Sequence, residues 1–70
     1  MNGTLKQELI SFLKKHNVED VFDLWATAKE WAISKKYIMG GSYASWEKSI
    51  SVSLIVYDKP YKFSVNLNEL

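Results

Sequence analysis

Polar and apolar positions alternate with two different periods along this chain, and the change falls at Gly40-Gly41. Upstream, Leu5, Leu9, Phe12 and Leu13 recur at helical spacing, with Ile10 at the edge of the same face. They predict a first helix from about Leu5 to His16. Thr4 and Gln7 have the spacing of a capping box, and Lys14-Lys15 suit the negative end of the helix dipole. A second helical pattern runs from Asn17 to Gly40. Asn17 is a good N-cap, Glu19 and Asp20 fit the first turn, Lys35-Lys36 fit the last, and Gly40 can take the left-handed conformation that stops a helix.

This second helix is apolar around an unusually wide arc. At 100° per residue, Ile38, Trp31, Leu24, Ala28, Val21, Ala32, Trp25, Val18, Phe22 and Ile33 span roughly 220°. A helix resting on one core layer needs an apolar stripe of only about 100°. The surplus implies cover on two sides by the chain itself, with a flank at Leu24, Trp31, Lys35 and Ile38 left for a partner.

Downstream of the glycines the period is two. Ile50, Val52, Leu54 and Val56 alternate with serines; Tyr61, Phe63, Val65 and Leu67 alternate with Lys62, Ser64, Asn66 and Asn68. Two antiparallel strands with one buried face follow. An apolar even position must oppose an apolar odd one, which fixes the parity of the pairing. Val56 on Phe63, Leu54 on Val65 and Val52 on Leu67 satisfies it, with a loop of Asp58-Lys59-Pro60-Tyr61 that keeps Pro60 out of the ladder. A rival reading ends the second helix near Ser34 and makes Tyr37-Ile38-Met39 a short strand, turning at Gly40-Gly41 into a three-stranded sheet. The long helix is the preferred reading. The expected fold is α+β: two N-terminal helices packed on a C-terminal antiparallel β-hairpin or three-stranded sheet, as a single small domain over residues 1–70.

Composition narrows the function more than it defines it. A 70-residue chain without cysteine has no disulfides, and its single histidine leaves no zinc site of the usual Cys/His kind. Stability must come from aromatic mass, which includes Trp25, Trp31 and Trp46. No run reaches the length of a membrane span and the N-terminus lacks a signal-peptide layout, so a cytoplasmic location is expected. All nine cationic side chains are lysine. With the Asn, Ile, Ser and Tyr content, this suggests an AT-rich coding sequence of the sort common in phages and low-GC bacteria.

No residue pattern carries catalytic, metal or nucleotide chemistry, and no cofactor is expected. Asp20 lies one turn from His16 and serines abound, but no spacing links them into a catalytic constellation, and His16 reads as a helix-end residue bonded to free carbonyls. Gly40-Gly41-Ser42 follows a helix and precedes a strand, the reverse of a phosphate-binding loop. Glu19, Asp23 and Glu30 form an acidic stripe on the polar side of the second helix, with Asp20 at its edge. Nucleic-acid binding calls for a basic patch, but the net charge is +1 and arginine is absent.

The expected function is therefore a non-enzymatic protein-binding module that inhibits or modulates another macromolecule, such as a phage or mobile-element anti-defence protein, alone or as a homodimer. Its expected protein-binding residues are Leu24, Trp31, Lys35, Ile38, Glu19, Asp23 and Glu30. The alternative is a small nucleic-acid-binding regulator of winged-helix outline. Sheet edges offer a second means of pairing with another chain.

Overall fold

The structure, a computed structural model, describes residues 4–70. Helix α1 (Leu5–Lys14) begins at Thr4, whose hydroxyl accepts from the Gln7 backbone N–H at 3.2 Å. It stops short of the expected His16: the amides of Lys15 and His16 turn back onto Phe12 and Leu13 at 3.1 and 3.0 Å. Helix α2 (Val21–Ser34) is capped by Asp20 and not by Asn17, because the Asp20 carboxylate accepts from the Asp23 N–H at 2.8 Å. A later start leaves residues 15–20 to make the crossing from one helix to the next, with Val18 packed against the core.

The far end of α2 corrects the preferred sequence reading. Lys36 takes a left-handed conformation, φ 64°, and the chain closes on the helix there. The Tyr37 N–H donates to the Ala32 carbonyl at 2.9 Å and the Lys36 N–H to the Ile33 carbonyl at 3.0 Å, the paired bonds of a Schellman motif. The helix thus ends at Ser34, well before Gly40. A helix from Asn17 to Gly40 would measure about 36 Å, longer than the 32 Å greatest extent of the Cα trace.

The residues released from the helix form β1 (Ile38–Tyr43), which joins β2 (Ser49–Val56) and β3 (Lys59–Asn66). All pairs are antiparallel, in the order β1-β2-β3. The fold is α+β, two helices followed by a three-stranded sheet. Gly41 sits at φ 124°, and a β-carbon there would collide with the Ser51 carbonyl across the ladder, so only glycine fits.

The β2–β3 register has the expected parity but not the expected offset. Phe63 opposes Val52, Val65 opposes Ile50 and Tyr61 opposes Leu54. The loop is only Tyr57-Asp58, both left-handed at φ 50° and 70°, as a two-residue turn of the I′ kind requires. Pro60 consequently lies in β3, opposite Ile55. Hydrogen-bonded and non-bonded pairs alternate in an antiparallel ladder, and the pair next to a tight turn is bonded. Pro60, one pair further on, therefore sits where no amide donor is needed.

Both helices cover one face of the sheet. Leu9 and Leu13 of α1, Leu24, Ala28 and Trp31 of α2, and Ile50, Leu54 and Val65 of the sheet form one buried cluster. Three stacked elements in place of two supply the core that a chain of this size otherwise struggles to build. After β3 a single 3₁₀ turn (Leu67–Glu69) closes the chain: the Glu69 carboxylate accepts from the Asn66 N–H at 2.8 Å and meets the Lys6 ammonium at 3.0 Å. The Asn66 amide first, and Lys6 second, hold the Glu69 carboxyl below the usual carboxylate range.

Two outcomes follow from this geometry. Lys36→Gly relieves a left-handed side-chain conformation costing about 1–2 kcal/mol, partly offset by the freedom glycine adds to the unfolded chain, so it should raise stability by a fraction of about 1 kcal/mol in urea unfolding. Asp58→Gly should gain less, because aspartate tolerates that conformation; a clear loss in Lys36→Gly would count against the left-handed stop. Because the Glu69 pKa is depressed on folding, its contribution is present above the ordinary carboxylate pKa and is lost as pH falls through the folded value. The Glu69 carboxyl resonance should therefore titrate lower than that of an unpaired glutamate. Lys6→Met should restore only part of the difference, since the backbone amide remains.

Candidate protein-binding surface

The residues expected to form one docking flank are dispersed by the fold. Leu24 is completely buried and Trp31 is 2% exposed, so neither is available to a partner. The reason is α1, which packs on that side of α2: Glu8, Ser11, Phe12 and Lys15 face Trp31, Ser34 and Lys35 across a groove with Trp31 in its wall. Tyr37 stands edge-on to the Trp31 ring at 5.5 Å and completes the enclosure. Lys35 is exposed as the C-cap of α2. Ile38 is 66% exposed but lies on the opposite face of the sheet from the helices, beside Ile55. Asp23 and Glu30 remain on the solvent side of α2, while Glu19 lies at a different groove, described next.

What the fold leaves open is the other end of the same apolar arc. Phe22 is 60% and Ile33 70% exposed, with Trp25 and Ala26 half-buried between them. The Phe22 and Trp25 rings lean on Tyr43, at the end of β1, with centroid distances of 6.3 and 5.4 Å. Around Tyr43 a groove of about 390 Å³ opens between the start of α2 and the β1–β2 turn. Val21, Phe22, Tyr43 and Leu67 give it apolar walls, and Glu19, Asp20 and Glu47 give it an acidic rim against the single Lys48. On the same turn Trp46 is 85% exposed, packed against no other aromatic ring. Large aromatic surface beside carboxylates suits a partner bearing apolar and basic groups.

Trp46, Tyr43 and Glu47 were not among the expected binding residues. The available signal was an aromatic inside the polar stretch Ser42–Lys48, a place where burial offers no explanation for it. Elsewhere the side chains have local tasks. The His16 Nδ1 lies 2.9 Å from the Phe12 carbonyl, which has no proton to give, so this nitrogen carries the hydrogen and the ring helps close α1. Burial, followed by the nearby charge of Glu8, raises the Tyr37 pKa above its ordinary value. Among the described residues no group of acidic or histidine side chains could hold a metal ion, and no helix is long and apolar enough to cross a membrane. Comparison with protein-family models, with curated proteins and with solved structures finds no match to this chain.

The three tryptophans should separate cleanly in solution. With a neutral quencher such as acrylamide, Trp46 emission should be quenched like a free indole, Trp25 partially, and Trp31 hardly at all. Trp46→Phe should remove most of the quenchable signal. Strong quenching that survives in the double variant Trp46→Phe/Trp25→Phe would mean Trp31 is open, and would reinstate the flank that the packing of α1 removes.

Proposed function

We propose that this chain is a small non-enzymatic protein-binding module that inhibits or modulates another macromolecule through the aromatic, acid-rimmed groove at the β1–β2 turn. The observation that carries the reading is Trp46, an indole 85% exposed on the turn that also supplies Ser45 and Glu47 to the groove. Tryptophan at that exposure contributes nothing to this fold's core, and it is among the residues most often found as energetic anchors of interfaces. The carboxylates of Glu19, Asp20 and Glu47 favour a partner surface with lysine or arginine beside an apolar side chain.

The nucleic-acid reading has no comparable support. The exposed side of α2 carries Asp23 and Glu30, and the groove itself is acidic, so both repel phosphate.

Capture from the native host with immobilised chain tests the proposal. A partner retained by the wild type should weaken by about thirtyfold or more with Trp46→Ala, the loss typical of an anchor residue. Glu19→Lys/Glu47→Lys should slow its association, since rim charges steer encounter. Trp46 is exposed, so both variants should keep the wild-type circular dichroism. A captured protein indifferent to both changes sinks the site. Capture that collapses in moderate salt and is replaced by binding to nucleic acid would favour the alternative.

A further inference from the structure

A second surface adjoins the groove of the β1–β2 turn, sharing Phe22 and Tyr43 with it. The sheet has two edges. That of β3 carries Lys59, Pro60 and Lys62, the charges and missing donor with which natural sheets discourage further pairing. That of β1 is Ile38-Met39-Gly40-Gly41-Ser42-Tyr43, without charge or proline, and Gly40, Gly41 and Ser42 are exposed. Beside this open edge runs the uncovered flank of α2, with Phe22, Ala26, Lys29 and Ile33.

We infer that β1 pairs antiparallel with β1 of a second copy, making a two-fold dimer with a continuous six-stranded sheet. Three features select a second copy over an unrelated chain. The flank of α2 is complementary to itself when reversed: the spacing sets Phe22 against the second copy's Ile33, and Ala26 against the second copy's Lys29. The strand and helix run side by side over nearly the same length, about 20 and 21 Å for six and fourteen residues, with Tyr43 at the end of β1 beside Phe22 and Trp25 at the start of α2. One dyad therefore serves both. The separation also fits. Strands lie about 4.8 Å apart, so a helix seated over β1 and β2 is about 5 Å from the dyad, and two such helices stand about 10 Å apart, at the edge of the usual packing range.

The register is constrained as well. Met39, Gly41 and Tyr43 share the face that the helices cover, and a continuous sheet keeps both cores on one side. Opposed residues then have the same parity, which places the dyad on Gly40 or Gly41. The Lys29 stem lies over the second copy's Ala26, with its ammonium turned up to the rim where Asp23 and Glu30 of both copies stand.

Sedimentation equilibrium from micromolar to millimolar concentration tests this. The wild type should approach twice its chain mass of 8.1 kDa. Ile33→Glu puts a charge into the helix contact and should weaken association about a hundredfold. Gly40→Glu and Gly40→Lys, tolerated in the single chain because a β-carbon at Gly40 meets nothing within 4 Å, should each associate several-fold more weakly alone, since the two like charges lie close across the dyad. Mixed together, they should recover the dimer. A wild type that stays monomeric to millimolar concentration overturns the inference, as does a dimer indifferent to either Ile33→Glu or Gly40→Glu. The two readings share Phe22 and Tyr43 but are tested apart: Trp46→Ala should weaken partner capture and leave the dimer, whereas Gly40→Glu should weaken the dimer.

Discussion

The left-handed turn at Lys36 is the constraint on which the architecture depends. By closing on Ala32 and Ile33, it ends α2 after Ser34 and reverses the chain beneath the helix it has just left. Tyr37 is brought against Trp31, and the next six residues become β1. Had the helix continued, Ile38 and Met39 would lie on its surface and only a two-stranded hairpin would remain. Such a hairpin is marginal alone and too narrow to lie under two helices. A non-glycine residue in this conformation costs about 1 kcal/mol. That cost is small beside the cluster that the third strand completes, in which Trp31, Leu24, Ile50 and Leu54 are sealed from water.

The wide apolar arc of α2 is then divided three ways. The sheet takes its centre through Val21, Ala28 and Ala32, and α1 takes one flank, with Leu24 and Trp31. No described residue takes the other, where Phe22 and Ile33 remain in solvent. A short helix such as α1 can cover only one side of its neighbour, and its connection to α2 through residues 15–20 determines which. The open surface therefore follows from chain connectivity, with α2 itself equally apolar at both ends of its arc.

These particulars explain how far the sequence could be read. The alternation in Ile50–Val56 and Tyr61–Leu67 fixed two strands and their buried faces, because a period of two has no helical counterpart. Parity alone does not set the offset, and pairing Phe63 with Val52 is as consistent with it as pairing Phe63 with Val56. The offset is decided at Tyr57-Asp58, a turn that usually announces itself with Asn-Gly and here does not. The end of α2 was obscured in the same way. Glycine is the ordinary left-handed stop, so Gly40 outcompeted Lys36 on propensity, whereas the packing of Tyr37 on Trp31 selects Lys36. As for the site, a helical wheel shows how wide an arc is and not which of its ends a neighbour covers. Trp31 was placed at the exposed end for that reason.

The outer face of the sheet shows why any strong association must use the other side. Its rows across the strands are Ser42–Ser51–Ser64 and Gly40–Ser53–Lys62, with only Ile38–Ile55–Pro60 apolar. Small hydroxyl side chains bring little apolar area, and their dehydration has to be matched bond for bond by a partner. The side bearing Ile33, Phe22 and Tyr43 offers large apolar area with few polar groups to satisfy. A protein docking there, as proposed, would gain free energy from burial, and Glu19, Asp23, Glu30 and Glu47 would orient it and discriminate among partners. On that reading the acidic stripe of α2 acquires a physical use only because the aromatic surface beside it is uncovered.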